Sequence, residues 1–407
     1  MLDPLHPAPS VGAIVYSPGR QPEALQAAFA AELQRRGFRV GGVVQTTRFG
    51  ADGRKTDMEL TDLGSGARLS IRQKLGSGSR SCSLDPAGLA EASAPVRRAI
   101  AQRVDLLCLN KFSKAEKSGD GLAAEMLAAM SDGVPLLTAV PAAMVEDWQA
   151  FTGGRGQILP PDRAALWRWW GARNLYRDLV QGVSGGLARR VVVGLNWTMV
   201  EGPDGVGLAQ TPERGTAGCR PVDGGWAGRP LAELAGGILG WDPVAAAVGM
   251  AAVNAHYNRF DLKAEDCNGL DVLGRSERMV VVGAFPGLAE RLPGAAVIDC
   301  RPAAGQFPAQ AADWLLPQAD TVLITAATLV NRTLPHLMGL ADQARVALVG
   351  PGTPLSRRLF AYGVAALSGL VVTDADAVAR TVAEGGGARD LKRLCRQACL
   401  LRPEDDR

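Results

Sequence analysis

The residues best placed to do chemistry lie between positions 319 and 356, which read ADTVLITAATLVNRTLPHLMGLADQARVALVGPGTPLS. Two short apolar runs, 321–324 and 345–349, have the length and composition of buried strands. The first is followed by Thr325, Thr328, Asn331 and Thr333, the second by Gly350-Pro351-Gly352-Thr353-Pro354. In an open parallel sheet the ligand crevice lies beyond the carboxyl ends of the strands, where loop amides and helix N-termini offer unpaired donors. Glycines there let backbone approach a ligand closely. The pair of loops therefore predicts a cradle for phosphate or another oxyanion. Thr and Asn also cap helices, and the sequence leaves cradle and caps both open.

The elements around these loops supply further candidates. A strand at 279–282 ends in Gly283-Ala284-Phe285-Pro286-Gly287, and another at 295–298 ends at Asp299, so several strand ends can converge on one crevice. Upstream, a strand at 191–200 turns through Glu201-Gly202-Pro203-Asp204-Gly205 into 206–212, a hairpin with a glycine-rich turn. Helices follow near 231–238 and at 243–257, the latter carrying Asn254 and His256. Glu201 is the candidate acid or base. Asn254 either reads a ligand or bonds a neighbouring carbonyl. The crevice set is then Glu201, Asn254, Gly283, Thr325, Thr328, Asn331, Thr333, Gly350 and Thr353, dominated by hydroxyl, amide and backbone donors. Such a lining favours a phosphate, carboxylate, oxyanion or chelated metal over a bare soft cation.

The N-terminal part opens with a strand at 11–16, a turn Ser17-Pro18-Gly19-Arg20, a helix at 22–36 and a strand at 40–45, a βαβ unit. Its turn is where a phosphate-binding loop would sit, yet SPGRQPEAL lacks the lysine and the Ser/Thr that grip phosphate and magnesium. ATP hydrolysis is not expected there. Hairpin strands at 58–63 and 68–74 lead into a Gly/Ser-rich loop that contains Arg80, then a helix at 87–102. The strand at 104–109 ends in Asn110 and Lys111, where a magnesium-organising carboxylate would stand in a nucleotide hydrolase. Arg80, Asn110 and Lys111 thus form a candidate anion site, with a solvated turn as the rival reading. A helix at 122–130, a strand at 135–140 and a helix at 141–151 complete this domain. Trp167, Trp169 and Trp170 mark 160–183 as a linker helix, where packing is favoured over an aromatic ligand platform.

A chain of 407 residues with 47% hydrophobic, 21% charged and 49 glycine residues describes two or three globular α/β domains. The net charge of +3 is too small and dispersed to argue for nucleic acid. The first residues lack a signal-peptide pattern and no segment approaches 18 consecutive apolar residues, so a cytoplasmic protein without membrane insertion is expected. Seven cysteines, at 82, 108, 219, 267, 300, 395 and 399, are scattered without a CxxC pair. Cys395 and Cys399 would share one side of a final helix, though two ligands do not close a zinc site. With three histidines (His6, His256, His336), a preformed soft-metal site is poorly supported.

Residues 11 to 151 resemble an uncharacterised bacterial family described as nucleoside-triphosphatase-like, through AIVYSPG, RSCSLDPAGLAEA and LNKFSKAEKSGDGL. The resemblance implies a nucleotide-binding-type fold with a degenerate phosphate loop. Residues 187 to 387 resemble the putative heavy-metal chelation family, through WTMVEGPDGVGLAQTP, AAVGMAAVNAHYN, VVVGAFPG, ADTVLITAATLVNRTL and VGPGTPLSRRLFAYGV. That resemblance implies an enolase-N-terminal-like α+β subdomain on a Rossmann-like subdomain, with a site between them. The sequence departs from the family pattern at Ala326, where a second glycine is common, and at Gly352, where serine is common.

The expected architecture is α/β throughout: a degenerate P-loop-like domain at 1–159, a helical linker at 160–186, an enolase-N-terminal-like subdomain at 187–272, a Rossmann-like subdomain at 273–387 and a tail at 388–407. The expected function is cytoplasmic binding of a small molecule, oxyanion or metal complex in transition-metal homeostasis, molybdenum or iron being the candidates. The alternative is an enzyme acting on a small anionic metabolite or metal-chelating compound with Glu201 as general base. Neither a Ser-His-Asp nor a Cys-His constellation nor a GxGxxG fingerprint is present, and enzyme status is left open. The cofactor is unknown, with a transition metal or a metal-ligand complex as candidate. A small anion or metal complex is the expected partner, with a homo-oligomer left open.

Overall fold

Apolar runs of three to six residues become the central strands of two parallel-rich sheets, because strands covered on both faces must be hydrophobic throughout. The computed structural model describes residues 11–17, 22–49, 55–70, 86–109, 111–213 and 225–403. The chain divides into two compact units, 1–169 and 170–407.

The first unit holds β1 (Val11–Tyr16), β2 (Val40–Phe49), β3 (Lys55–Asp62), β4 (Arg68–Ser70), β5 (Leu106–Cys108), β6 (Leu136–Pro141) and β7 (Gly156–Leu159). They form one sheet in the order β4-β3-β2-β5-β6-β1-β7. The five strands from β2 to β7 in that order run parallel, and β3 and β4 add an antiparallel hairpin at one edge. The helices Pro22–Arg35 and Pro86–Ala101 match the predicted positions to within a residue. The helix expected from 141 opens as a 3-10 turn, Ala142–Met144, before Val145–Thr152. Trp167, in the helix Arg163–Gln181, packs edge-on to Phe29 at 5.3 Å and under the Arg36 guanidinium at 4.5 Å. It acts as core.

The second unit begins with a correction. The single strand expected over 191–200 is two, β8 (Arg190–Val193) and β9 (Trp197–Glu201), paired antiparallel. The reversal falls at Gly194, whose amide donates to the Trp197 carbonyl at 2.9 Å. An added Cβ at Gly194 would lie 2.0 Å from the Val382 carbonyl oxygen, so only glycine fits this turn. β10 (Val206–Gln210) pairs with β9 as the predicted hairpin. This small sheet lies against the helix Pro243–Tyr257, which is small-residue-rich because Gly207 brings β10 to its backbone: a Cβ there would lie 1.9 Å from the Ala251 carbonyl oxygen.

The larger sheet of this unit runs β13-β12-β11-β14-β15-β16-β17. Its strands are β11 (Met279–Val282), β12 (Ala296–Asp299), β13 (Phe307–Pro308), β14 (Thr321–Thr325), β15 (Arg345–Val349), β16 (Val364–Val372) and β17 (Cys395–Leu401). All pairs are parallel except β16 with β17. Alternation decides the layers. Val280, Val282, Val322, Ile324 and Leu348 join the helix Pro243–Tyr257 in one core, while Met279, Val281, Leu323, Ala347 and Val349 pack with Leu270, Leu273 and Leu288 on the other face.

The C-terminal segment differs from expectation. Cys395 and Cys399 lie on an edge strand, not on a final helix, because the preceding helix Ala388–Lys392 stops after five residues. Cys399 is disulfide-bonded to Cys267, 132 residues away, with Cα atoms 5.9 Å apart. Residues set apart as a tail thus close the sheet. No helix among the described residues is long and apolar enough to cross a membrane.

Candidate functional site

Chain reversal fixes where the larger sheet of the second unit can bind. β11 runs on to β12 and β13 on one side, whereas β14, β15 and β16 lie on the other, so the topological switch falls between β11 and β14. The strand ends there touch. Gly283 has φ +101° and an added Cβ would lie 2.7 Å from the Thr325 side chain, so glycine alone permits this approach. Ala326 donates to the Val349 carbonyl at 2.9 Å, which ties the β14 loop to the β15 loop. Gly350, at φ +127°, donates to the Ser368 carbonyl at 3.0 Å.

The hydroxyl-bearing residues divide into two groups. Thr328 donates its hydroxyl to the Thr325 carbonyl at 2.6 Å, and Thr325 accepts from the Ala327 amide at 3.4 Å. Asn331 accepts from both the amide and the hydroxyl of Thr333, at 3.1 and 2.7 Å. These four spend their polar atoms on bonds within two or three residues of themselves, although the N-caps of the helices Ala327–Val330 and Leu334–Leu340 carry no side-chain cap bond. Arg332 between them sits at φ +63°, held by the exposed face of Trp241 at 4.4 Å and by the Ile238 and Gly240 carbonyls.

Asn254 and Thr353 form the other group. Both are wholly buried. Asn254 donates to the Leu208 carbonyl at 2.7 Å and to the Gly352 carbonyl at 2.9 Å, joining β10 to the loop after β15. Asn258 adds bonds to the Thr353 and Leu370 carbonyls. Two oxygens are left over: Asn254 Oδ1 and Thr353 Oγ1 are buried without a partner, although a buried polar atom normally has one. They belong to the two sides of the Gly352–Thr353 peptide. Gly352 suits this packing, since a Cβ there would approach the Leu208 carbonyl to 3.3 Å.

Glu201 lies elsewhere in its bonding. Its Oε2 accepts from Arg190 at 2.9 and 2.7 Å, and Arg190 also pairs with Asp376 at 2.8 Å. The hydrogen bond to Glu201, with that to Asp376 adding, raises the Arg190 guanidinium above its ordinary value. The carboxylate is thereby engaged in an ion pair.

A pocket of about 90 Å³ opens at the same carboxyl edge, on the sheet face carrying Leu270 and Val349. Gly350 lines it, and the sequence singled out none of its other polar walls. These are Asn268, Ser368, Gln397, Arg389 and Lys392, with Arg291 paired to Asp271 at 2.6 Å. The available signal was the segment GGGARDLK, a capped short helix that presents two cations three residues apart.

In the first unit, Lys111 sits 3.9 Å from Glu23, and Arg80 and Asn110 lie outside the described residues. The predicted anion cluster is therefore visible only at Lys111. Gln26, fully buried, donates to the Leu109 and Leu137 carbonyls at 2.9 and 2.8 Å, occupying the space where β5 ends beside β6. Burial pushes the Tyr16 phenol up to about 12, with Glu23 adding to the shift. Burial likewise pushes the Cys108 and Cys395 thiols up to about 12, away from the thiolate that binds metal. Among the described residues no group of three His, Cys, Asp or Glu is placed to hold an ion.

The fold and this edge define the second unit as a Rossmann-type α/β sheet combined with a small three-stranded α+β layer. Family models described as "Putative heavy-metal chelation" match residues 176–257 and 268–401. A solved protein of unknown function from the DUF364 family of Desulfitobacterium hafniense DCB-2 is 30% identical, with a TM-score of 0.52, covering 57% of this chain and 99% of its own. Through its second unit the chain belongs to that putative heavy-metal chelation family. A Pyrococcus horikoshii protein of unknown function from the same family is 18% identical, with a TM-score of 0.49, covering 56% of this chain and 98% of its own. Residues 11–169 match the model "Protein of unknown function (DUF2478)". A curated relative, "Molybdenum import ATP-binding protein ModC 2" of Bradyrhizobium diazoefficiens, is 47% identical over 160 residues, 39% of this chain. This chain spans about a fifth of that relative's length, 18%.

Proposed function

We propose that this protein binds a small metal complex or oxyanion at the carboxyl edge of the second unit's sheet, as a cytoplasmic component of transition-metal homeostasis. The observation that carries the reading is the pair of buried, unpartnered oxygens, Asn254 Oδ1 and Thr353 Oγ1, beside the Gly350–Thr353 loop. Asn Oδ1 only accepts hydrogen bonds and Thr Oγ1 can accept as well, so they call for a donor. The coordinated waters of a metal complex supply one, as does an oxyanion that keeps a proton, which free molybdate at neutral pH does not. The thiols held protonated by burial favour a metal that arrives with its own ligands over one captured bare. The molybdenum in the name of the partial relative makes that element the first to test.

Glu201 as the general base of an enzyme has the Arg190 pair against it. Binding is the stronger reading.

Elemental analysis by inductively coupled plasma mass spectrometry, paired with native mass spectrometry, tests it. The expected result is a stoichiometric adduct that the near-isosteric Thr353→Val, which removes only the unpartnered hydroxyl, reduces at least tenfold. Protein that takes up no water-bearing molybdenum or iron complex, or a metal-complex adduct unchanged in Thr353→Val, overturns it; uptake of free molybdate does not bear on it.

A further inference from the structure

The pocket lined by Gly350, Ser368, Gln397, Arg389 and Lys392 has the features of a second, separate site. Ser368 is only 5% exposed, yet neither its hydroxyl nor the Gln397 amide has a protein partner among the described residues. Arg389 and Lys392 have no carboxylate partner among those residues either. Backbone presses in to shape the floor: a Cβ on Gly269 would lie 2.7 Å from Ser368 Oγ and 2.5 Å from Val349 Cγ1, so residue 269 can only be glycine. The Cys267–Cys399 disulfide fixes this wall, since Cys399 pairs with Ser368 across β16 and β17 while Cys267 precedes Asn268.

Size and charge narrow the ligand. At about 90 Å³ the cavity is compact. Two unpaired cations, a hydroxyl and an amide around so small a volume suit one compact dianion. No Asp or Glu is among the lining residues, so no carboxylate waits to accept a proton from the ligand. Hydrogen phosphate carries a proton that a carboxylate accepts better than the neutral Ser368 and Gln397 oxygens can, whereas molybdate and sulfate are fully deprotonated at neutral pH.

We propose that this pocket binds a fully deprotonated tetrahedral oxyanion of the molybdate and sulfate class, and discriminates against hydrogen phosphate. The site lies on the sheet face opposite the helix that carries Asn254, so it stands independently of the metal-complex reading.

Isothermal titration calorimetry on the full chain at low ionic strength, with molybdate, sulfate and phosphate in turn, tests the proposal. Molybdate and sulfate should bind one to one, with phosphate at least tenfold weaker. The exposed double variant Arg389→Gln/Lys392→Gln should lose at least tenfold in molybdate affinity, Ser368→Ala a few-fold, and Thr353→Val nothing. Absence of binding, equal affinity for phosphate, or molybdate binding indifferent to the double variant overturns it. Loss in Thr353→Val alone would assign the ion to the other site and also overturn it.

Discussion

In the first unit the carboxyl end of β5 is tied off from within, because Gln26 donates to the Leu109 carbonyl and to that of Leu137 on the neighbouring β6, and Lys111 faces Glu23. In the second unit the ends of β14 and β15 leave two buried oxygens and two cations without protein partners among the described residues. Both sheets are parallel-rich, so topology offers each unit the same opportunity. What differs is which groups remain unsatisfied once the chain has packed. An unmet hydrogen-bonding group marks a binding edge better than the sheet type does.

The largest expected difference concerns the covalent tie. Cys399→Ser removes closure of a 132-residue span and should destabilise the second unit by about 5 kcal/mol, leaving the first unchanged. Peptide-resolved hydrogen exchange reads the two units separately, and equal acceleration in both would break the contrast. Next comes Asp178→Ala. Asp178 is fully buried between Arg358 and Tyr362, and losing it removes the carboxylate that both bond, at a cost of about 3 kcal/mol. Urea unfolding should show this, and an unchanged midpoint would mean that water reaches the pair.

Smaller effects sharpen the picture. Gln26→Leu keeps the volume but deprives the Leu109 carbonyl of its donor, so a loss of about 1–2 kcal/mol from the first unit is expected. A gain of stability would show that the plug is itself strained. Lys111→Ala removes one part-exposed ion pair worth on the order of 0.5 kcal/mol or less, and molybdate titration of this variant should match the unaltered protein. Weakened binding there would restore an anion site to the first unit.

Much of the architecture was legible because period and composition report burial directly. β11, β15 and the helix Pro243–Tyr257 fall where their apolar runs and the Asp242-Pro243 start signal put them. The break at Gly194 was hidden, since Val191 to Val193 and Trp197 to Val200 read as one apolar run across a three-residue turn. β17 was missed because Cys395-Arg396-Gln397-Ala398-Cys399 carries no clean alternation; as an edge strand it takes its identity from β16, not from its own pattern. Of the candidate residues, Thr325, Thr328, Asn331 and Thr333 were found for their hydroxyls and amides, which the fold spends on hydrogen bonds within two or three residues. Ser368 and Gln397 gave no signal, because being unpartnered is a property of the packed state.

The sequence by itself determined the parallel-rich α/β character of both units, the strands β1, β2, β11, β14 and β15, and the glycine-bearing loops after β11 and β15, since these follow from local hydrophobicity and backbone freedom. Only the tertiary structure decided that Cys267 meets Cys399, that Glu201 meets Arg190, and that Arg389 and Lys392 share a pocket with Ser368. Each of those is a contact between residues far apart in sequence or in different strands, fixed by register and layer packing that no local pattern encodes.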